Sequence, residues 1–218
     1  RMTFKEINIV VLGLSSLAGA LLYLREEILG LSQYGIVYLL VIGMLGVVVV
    51  TGHRIKLVEI GSIIFVTVYI FVGFYSLYML RDLSLAHIGY LLLTIWFTDS
   101  FAYIGGMRFG KNKLSPKISP NKSIEGSVIG SLSSIVIALV FYFTTSIFTN
   151  LAVAIGITLV VSVIGQFGDL IESAYKREYG VKDSSNLLPG HGGIFDRFDS
   201  VILSAPCLVL LLNLVAML

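Results

Sequence analysis

Seven stretches of this chain run for about 18–22 residues with almost no charge, and that length decides what it can fold into. Residues 7–24, 34–51, 60–80, 88–107, 127–148, 151–171 and 200–218 each approach the ~20 apolar residues a helix needs to span a bilayer. In hydrocarbon, backbone N–H and C=O groups must be satisfied within the protein, so such runs become helices. Charged residues make up 13% of the 218 positions and hydrophobic ones 56%. Soluble domains carry about 25% charged residues. The expected fold class is all-α, a polytopic integral membrane protein with about seven transmembrane helices.

Charge placement predicts the orientation. If the N-terminus and the second, fourth and sixth interhelical loops share one side, that side holds Arg1, Lys5, Arg54, Lys56, Arg108, Lys111, Lys113, Lys117, Lys122, Lys176, Arg177, Lys182 and Arg197. These are 13 of the 15 Lys and Arg residues, leaving Arg25 and Arg81 opposite. Positive charge marks the cytoplasmic side. Polar residues gather in the loops 108–126 and 172–199, so a polar active-site cavity is expected on the cytoplasmic face. Residues 1–90 read as transmembrane scaffold and 91–218 as the catalytic region.

The net charge of +2 gives no footprint for nucleic acid. Cys207 is the single cysteine and reads as a packed apolar residue. Gly105–Lys111 fits GxxxxGK, but Asn112 stands where a phosphate-binding loop needs Ser or Thr, and no strand precedes it. No nucleophilic Ser-His-Asp order appears. Arg1 in place of Met suggests part of a longer protein.

Three constellations carry chemistry. Asp99 interrupts an apolar helix, where a charge costs about 3 kcal/mol; pairing with a neighbouring helix is the plain alternative. Beyond it, Lys111, Lys113, Lys117 and Lys122 either obey the charge rule alone or form a cationic rim for phosphates, with Pro116 and Pro120 stiffening the loop. In "GQFGDLIESAYKR", Asp169, Glu172, Ser173 and Lys176 fall at i, i+3, i+4 and i+7, one face of a helix if the sixth span continues. In "KDSSNLLPGHGGIFDRFDS", Gly190, Gly192 and Gly193 permit backbone close to a ligand. There Asp196, Asp199 and Ser200 fall at i, i+3 and i+4; capping of the last helix is the plain reading for Asp199. Hard oxygen ligands beside Lys and Arg suit Mg²⁺-assisted phosphoryl or nucleotidyl transfer.

Ser173, Lys176, Arg177, Lys182, Asp183, Pro189, His191, Gly192, Gly193, Asp196, Arg197 and Asp199 lie within 27 residues. Their pattern resembles the signature of the phosphatidate cytidylyltransferase, or CDP-diacylglycerol synthase, family. "DSFAYIGG" and "SPNKSIEGSVIG" extend the resemblance to about residues 96–200. Ser123 stands where Thr is expected, and Tyr175 where a plainer apolar residue is. The short N-terminus suggests that one or more family helices are absent.

The resemblance implies that CTP and phosphatidic acid give CDP-diacylglycerol and pyrophosphate at a bacterial-type inner or plasma membrane, with Mg²⁺ required. It implies Asp169 and Asp196 as the metal pair; Asp99, Glu172 and Asp199 are candidates to hold a second cation or to orient the lysines. Lys176, Arg197 and Lys182 are the further catalytic candidates. Lys111, Lys122, Ser123, Glu125, Ser173, Arg177, Asp183, His191, Gly192 and Gly193 are the substrate-binding candidates. A homodimer is compatible with this reading. A CTP-dependent lipid-alcohol kinase and, in another class, an ion-coupled transporter are the alternatives.

Overall fold

The computed structural model describes residues 57–181, 183, 184, 193 and 195–217, together with isolated positions 13, 38, 41, 42 and 45. The expected spans 7–24 and 34–51 therefore lie outside the described residues, apart from those isolated positions, as do Lys182, His191 and Gly192. The chain divides into two compact units, 1–75 and 76–218. The described elements are α1 (Leu57–Leu83), α2 (Leu85–Phe109), β1 (Lys113–Ser115), β2 (Ser119–Ser123), α3 (Ile124–Ser133), α4 (Ile135–Thr144), α5 (Leu151–Glu178) and α6 (Phe195–Ala216). Within the first unit, Phe65 and Tyr69, one turn apart on α1, stack at 6.2 Å between ring centroids.

Five segments among the described residues are long and apolar enough to cross a membrane: Ile60–Leu83, Leu85–Phe109, Ile124–Thr144, Leu151–Glu178 and Phe195–Ala216. The chain is a mostly helical integral membrane protein. An all-α fold is one correction short of the structure, because β1 and β2 pair antiparallel between α2 and α3. The other differences are a break at Ser134 within the expected span 127–148 and shifts at helix ends. The sixth expected span continues from 171 to Glu178, and the last begins at Phe195, ahead of 200. Hydropathy stops where charges begin, whereas helical hydrogen bonding does not. Residues 172–178 and 195–199 of the expected loop 172–199 are thus helix.

The ends that are set locally have visible causes. Asn150 caps α5, its side-chain oxygen accepting from the N–H groups of Ala152 and Val153. Ser123 caps α3 through Gly126. At the other end of α5, Gly180 adopts φ +67°, and Val181 N–H donates to the Lys176 carbonyl while Gly180 N–H donates to that of Arg177. This pair of bonds is a Schellman motif, closed by the residue that tolerates the left-handed conformation. Between α3 and α4, the Ser133 and Ser134 hydroxyls bond the carbonyls of Gly130 and Ser131, and the helix is interrupted at Ser134.

The second unit is built from two close antiparallel helix pairs. A Cβ placed on Gly130 of α3 would meet the Thr98 carbonyl oxygen of α2 at 2.5 Å, and one on Gly126 would meet that of Ala102 at 2.5 Å. Four-residue spacing of small residues lets backbones approach this closely where lipid offers no hydrophobic drive between helices. In the other pair, a Cβ on Gly168 of α5 would meet the Asp199 carbonyl oxygen of α6 at 2.6 Å. An apolar core fills the end away from the charges. Tyr90 sits there edge-on to Phe141 and Phe148, its hydroxyl bonded to Thr158 at 2.6 Å.

These approaches give a testable contrast. Gly130→Ala forces α2 and α3 apart and lowers stability by about 1–3 kcal/mol. Gly156→Ala, whose added Cβ has nothing within 4 Å, is neutral or slightly stabilising. Thermal unfolding of both variants in detergent checks the difference.

Candidate active site

The antiparallel pairing brings the C-terminal ends of α2 and α5 together with the N-terminal ends of α3 and α6. Asp99 lies ten residues before the end of α2, and Asp169 nine before the end of α5. At 1.5 Å per residue both acids sit about 14 Å inside their helices. Asp199 comes from the second turn of α6, and Lys122 from β2, just ahead of α3.

The charged side chains form two groups. In the first, Lys122 makes an ion pair with Asp169. Asp99 is within electrostatic reach of both, and Asp199 of all three. The Ser173 hydroxyl donates to Asp169 at 3.3 Å. Asp199 accepts from the Ser200 N–H at 2.6 Å from within α6, so it does not stand at the N-cap.

The second group lies one turn further along α5. Lys176 Nζ meets Glu172 at 2.6 Å and Asp196 at 2.9 Å. Asp196 also accepts from the Ser184 N–H and hydroxyl and from the Gly193 N–H. Its place in the first turn of α6 adds the favourable helix dipole. Glu172 is fully buried, so one ammonium bridges two carboxylates withdrawn from water.

The β-hairpin leans toward both groups. Glu125 gathers the backbone N–H groups of Lys111 and Asn112 and the Asn112 side-chain amide, the last at 2.7 Å, which fixes the start of the hairpin. Arg177 reaches the Ile118 carbonyl from the end of α5, at 3.4 Å. Glu125 and Ser123 thus have evident structural tasks here, while Lys111, Asp183 and Arg197 are exposed.

Asp169 and Asp196, expected as a pair, fall into different groups. The antiparallel register explains this: Gly168 faces Asp199 and Ser200, and Lys176 faces Asp196. Ser184 and Asn112 were not among the expected site residues, and nothing in their local sequence marks them. A buried row on α5, Thr158, Ser162 and Gln166, also escaped that reading. Its signal was legible: polar residues recurring every four positions below Asp169.

The donor chemistry of Asp99, Asp169 and Asp199 suits a hard divalent cation. Three carboxylates against the Lys122 ammonium leave two excess negative charges. Among the described residues, no three acids, histidines or cysteines already converge as a metal cage. The fit is therefore one of charge and ligand type.

The fold and these groups define a helical membrane protein whose acids and lysines cluster where its helices turn polar. A profile described as the cytidylyltransferase family matches residues 1–215, and the chain belongs to that family. It is similar to proteins named phosphatidate cytidylyltransferase from Staphylococcus aureus and Staphylococcus haemolyticus, each 41% identical over 169 residues, and from Staphylococcus epidermidis, 42% identical over 169. Each match covers 78% of this chain and 65% of the relative. The chain thus spans just under two thirds of the length of these curated relatives.

Lys176 offers a direct test of the buried group. Lys176→Met leaves Glu172 and Asp196 facing each other without their shared cation and lowers stability by about 3–5 kcal/mol. Adding Glu172→Gln recovers part of that loss. Thermal unfolding of the two variants checks both steps.

Proposed function

We propose that the chain catalyses nucleotidyl transfer from CTP to phosphatidic acid, giving CDP-diacylglycerol and pyrophosphate at the cytoplasmic face of a bacterial-type inner membrane. The observation that carries this reading is the Lys122–Asp169 ion pair, with Asp99 and Asp199 within electrostatic reach, where four membrane-length helical segments turn polar. The names of the relatives and the 13-to-2 division of Lys and Arg support it. A lipid phosphate whose chains stay in the bilayer can meet a water-soluble nucleotide at such a boundary.

A phosphatidate oxygen attacks the α-phosphorus of CTP. The new P–O bond forms as the bond to the β-phosphate bridging oxygen breaks, and pyrophosphate leaves with that electron pair. A phosphate monoester is already largely ionised near neutral pH, so no general base is required. Lys122 would neutralise phosphate oxygens, with Arg177, Lys182, Arg197 and Lys111 as further donors. Glu172 and Asp196 hold the Lys176 ammonium in one position. Mg²⁺, when bound, neutralises charge on the triphosphate. Asp169, with Asp99 and Asp199, is the set proposed to hold it; Asp196 is taken up by Lys176, Ser184 and Gly193.

CTP labelled at the α-phosphate tests the reaction. Label is expected in lipid, whereas label kept in free CDP with none in lipid would favour γ-phosphoryl transfer and sink this reading. Asp169→Asn is expected to lower turnover by roughly 10²-fold or more while the protein still folds.

A further inference from the structure

A buried chain of polar side chains ends one turn short of the charged groups. On α5, Thr158, Ser162 and Gln166 are 0%, 1% and 6% exposed, and Asp169 follows three residues after the last. The Thr98 hydroxyl of α2 is hydrogen-bonded to the Ser162 hydroxyl at 2.9 Å, which is hydrogen-bonded to the Ser131 hydroxyl of α3 at 3.1 Å. The Gln166 amide nitrogen then donates to Ser131 Oγ at 2.9 Å and to the Ser127 carbonyl at 3.3 Å.

Each anchor lies beside a charged group. Thr98 precedes Asp99, Gln166 lies one turn before Asp169, and α3 starts two residues after Lys122. The Gln166 fork spans one full turn of α3, from Ser127 to Ser131. It therefore fixes how far α3 sits along α5. The small-residue contacts fix how close helices come, but they say less about sliding along the axis. An apolar side chain of the same length would fill the space and leave that sliding free.

We propose that Gln166 is a positioning residue for the transfer reaction: its fork on α3, continued through Ser131 and Ser162 to Thr98, sets the spacing of Asp99, Lys122 and Asp169. The inference rests on the nucleotidyl-transfer reading above. Phosphoryl chemistry is mostly placement, so a loosened register lowers kcat more than the affinity for CTP.

The full chain in liposomes, with α-labelled CTP and phosphatidic acid, provides the test. Gln166→Met is expected to keep its thermal midpoint close to the parent's and to lose about 10–100-fold in kcat, the usual range for a supporting residue. KM for CTP should stay within about threefold, because misplacing the acids and Lys122 costs most where charge develops in the transition state. Ser131→Ala should lose less, and the double variant no more than Gln166→Met alone. Thr158→Val, a similar polar-to-apolar change two turns further from the charges, should leave kcat unchanged.

An unchanged kcat in folded Gln166→Met would overturn the proposal. So would an equal kcat loss in Thr158→Val, or a loss that follows the folded fraction. If Gln166→Met does not fold, Ser131→Ala carries the test, and a parental kcat there overturns it. Absence of labelled lipid with the parent chain would instead overturn the reaction reading.

Discussion

Two helix contacts, in which a glycine stands where any side chain would strike a carbonyl oxygen, hold up the rest of this structure. At Gly130 the obstacle is Thr98, and at Gly168 it is Asp199, with 2.5 and 2.6 Å available to a Cβ. Such contacts draw α2 onto α3 and α5 onto α6. They matter because the acids are short. An aspartate reaches across only a narrow gap, so Asp99, Asp169 and Asp199 influence one another only if their helices are close. The apolar core around Tyr90 supports this arrangement from the far end.

Carboxylates inside an apolar bundle need compensation. The protein supplies it differently in its two charged groups. Lys176 is shared between Glu172 and Asp196, and backbone N–H groups of Ser184 and Gly193 complete the shell of Asp196. Its two carboxylates are largely buried. Around Asp169, Lys122 pairs directly with that acid, and Asp99 and Asp199 lie within electrostatic reach of both. The first arrangement suits a fixed support, and the second suits a site that receives a charged ligand. The proposed division of labour follows from that contrast.

The membrane-spanning character was legible because a bilayer leaves long apolar runs little choice. The five described helical segments follow five of the expected runs. Their ends were not legible from hydropathy, since α5 keeps its hydrogen bonds through Asp169, Glu172 and Lys176 after its apolar residues stop. The hairpin was missed for a related reason. "SPNKS" has no strand pattern, and long-range bonds from Glu125 and Arg177 help fix the segments that flank and join its strands. Spacing correctly put Asp169, Glu172, Ser173 and Lys176 on one face. Which acid meets which across helices depends on the α5–α6 register, and no local pattern encodes that. The same limit hid the contacts of Gln166, although its four-residue recurrence with Ser162 and Thr158 was open to view.

The central proposal is that Asp99, Asp169 and Asp199 act as one cation-holding centre while Asp196 belongs to a separate support. Mn²⁺ binding followed by electron paramagnetic resonance tests it most directly. The account predicts that Asp99→Asn, Asp169→Asn and Asp199→Asn each weaken Mn²⁺ binding, and that Asp196→Asn largely preserves it in the folded protein. Parental Mn²⁺ affinity in Asp169→Asn, or its loss in folded Asp196→Asn alone, would contradict the account.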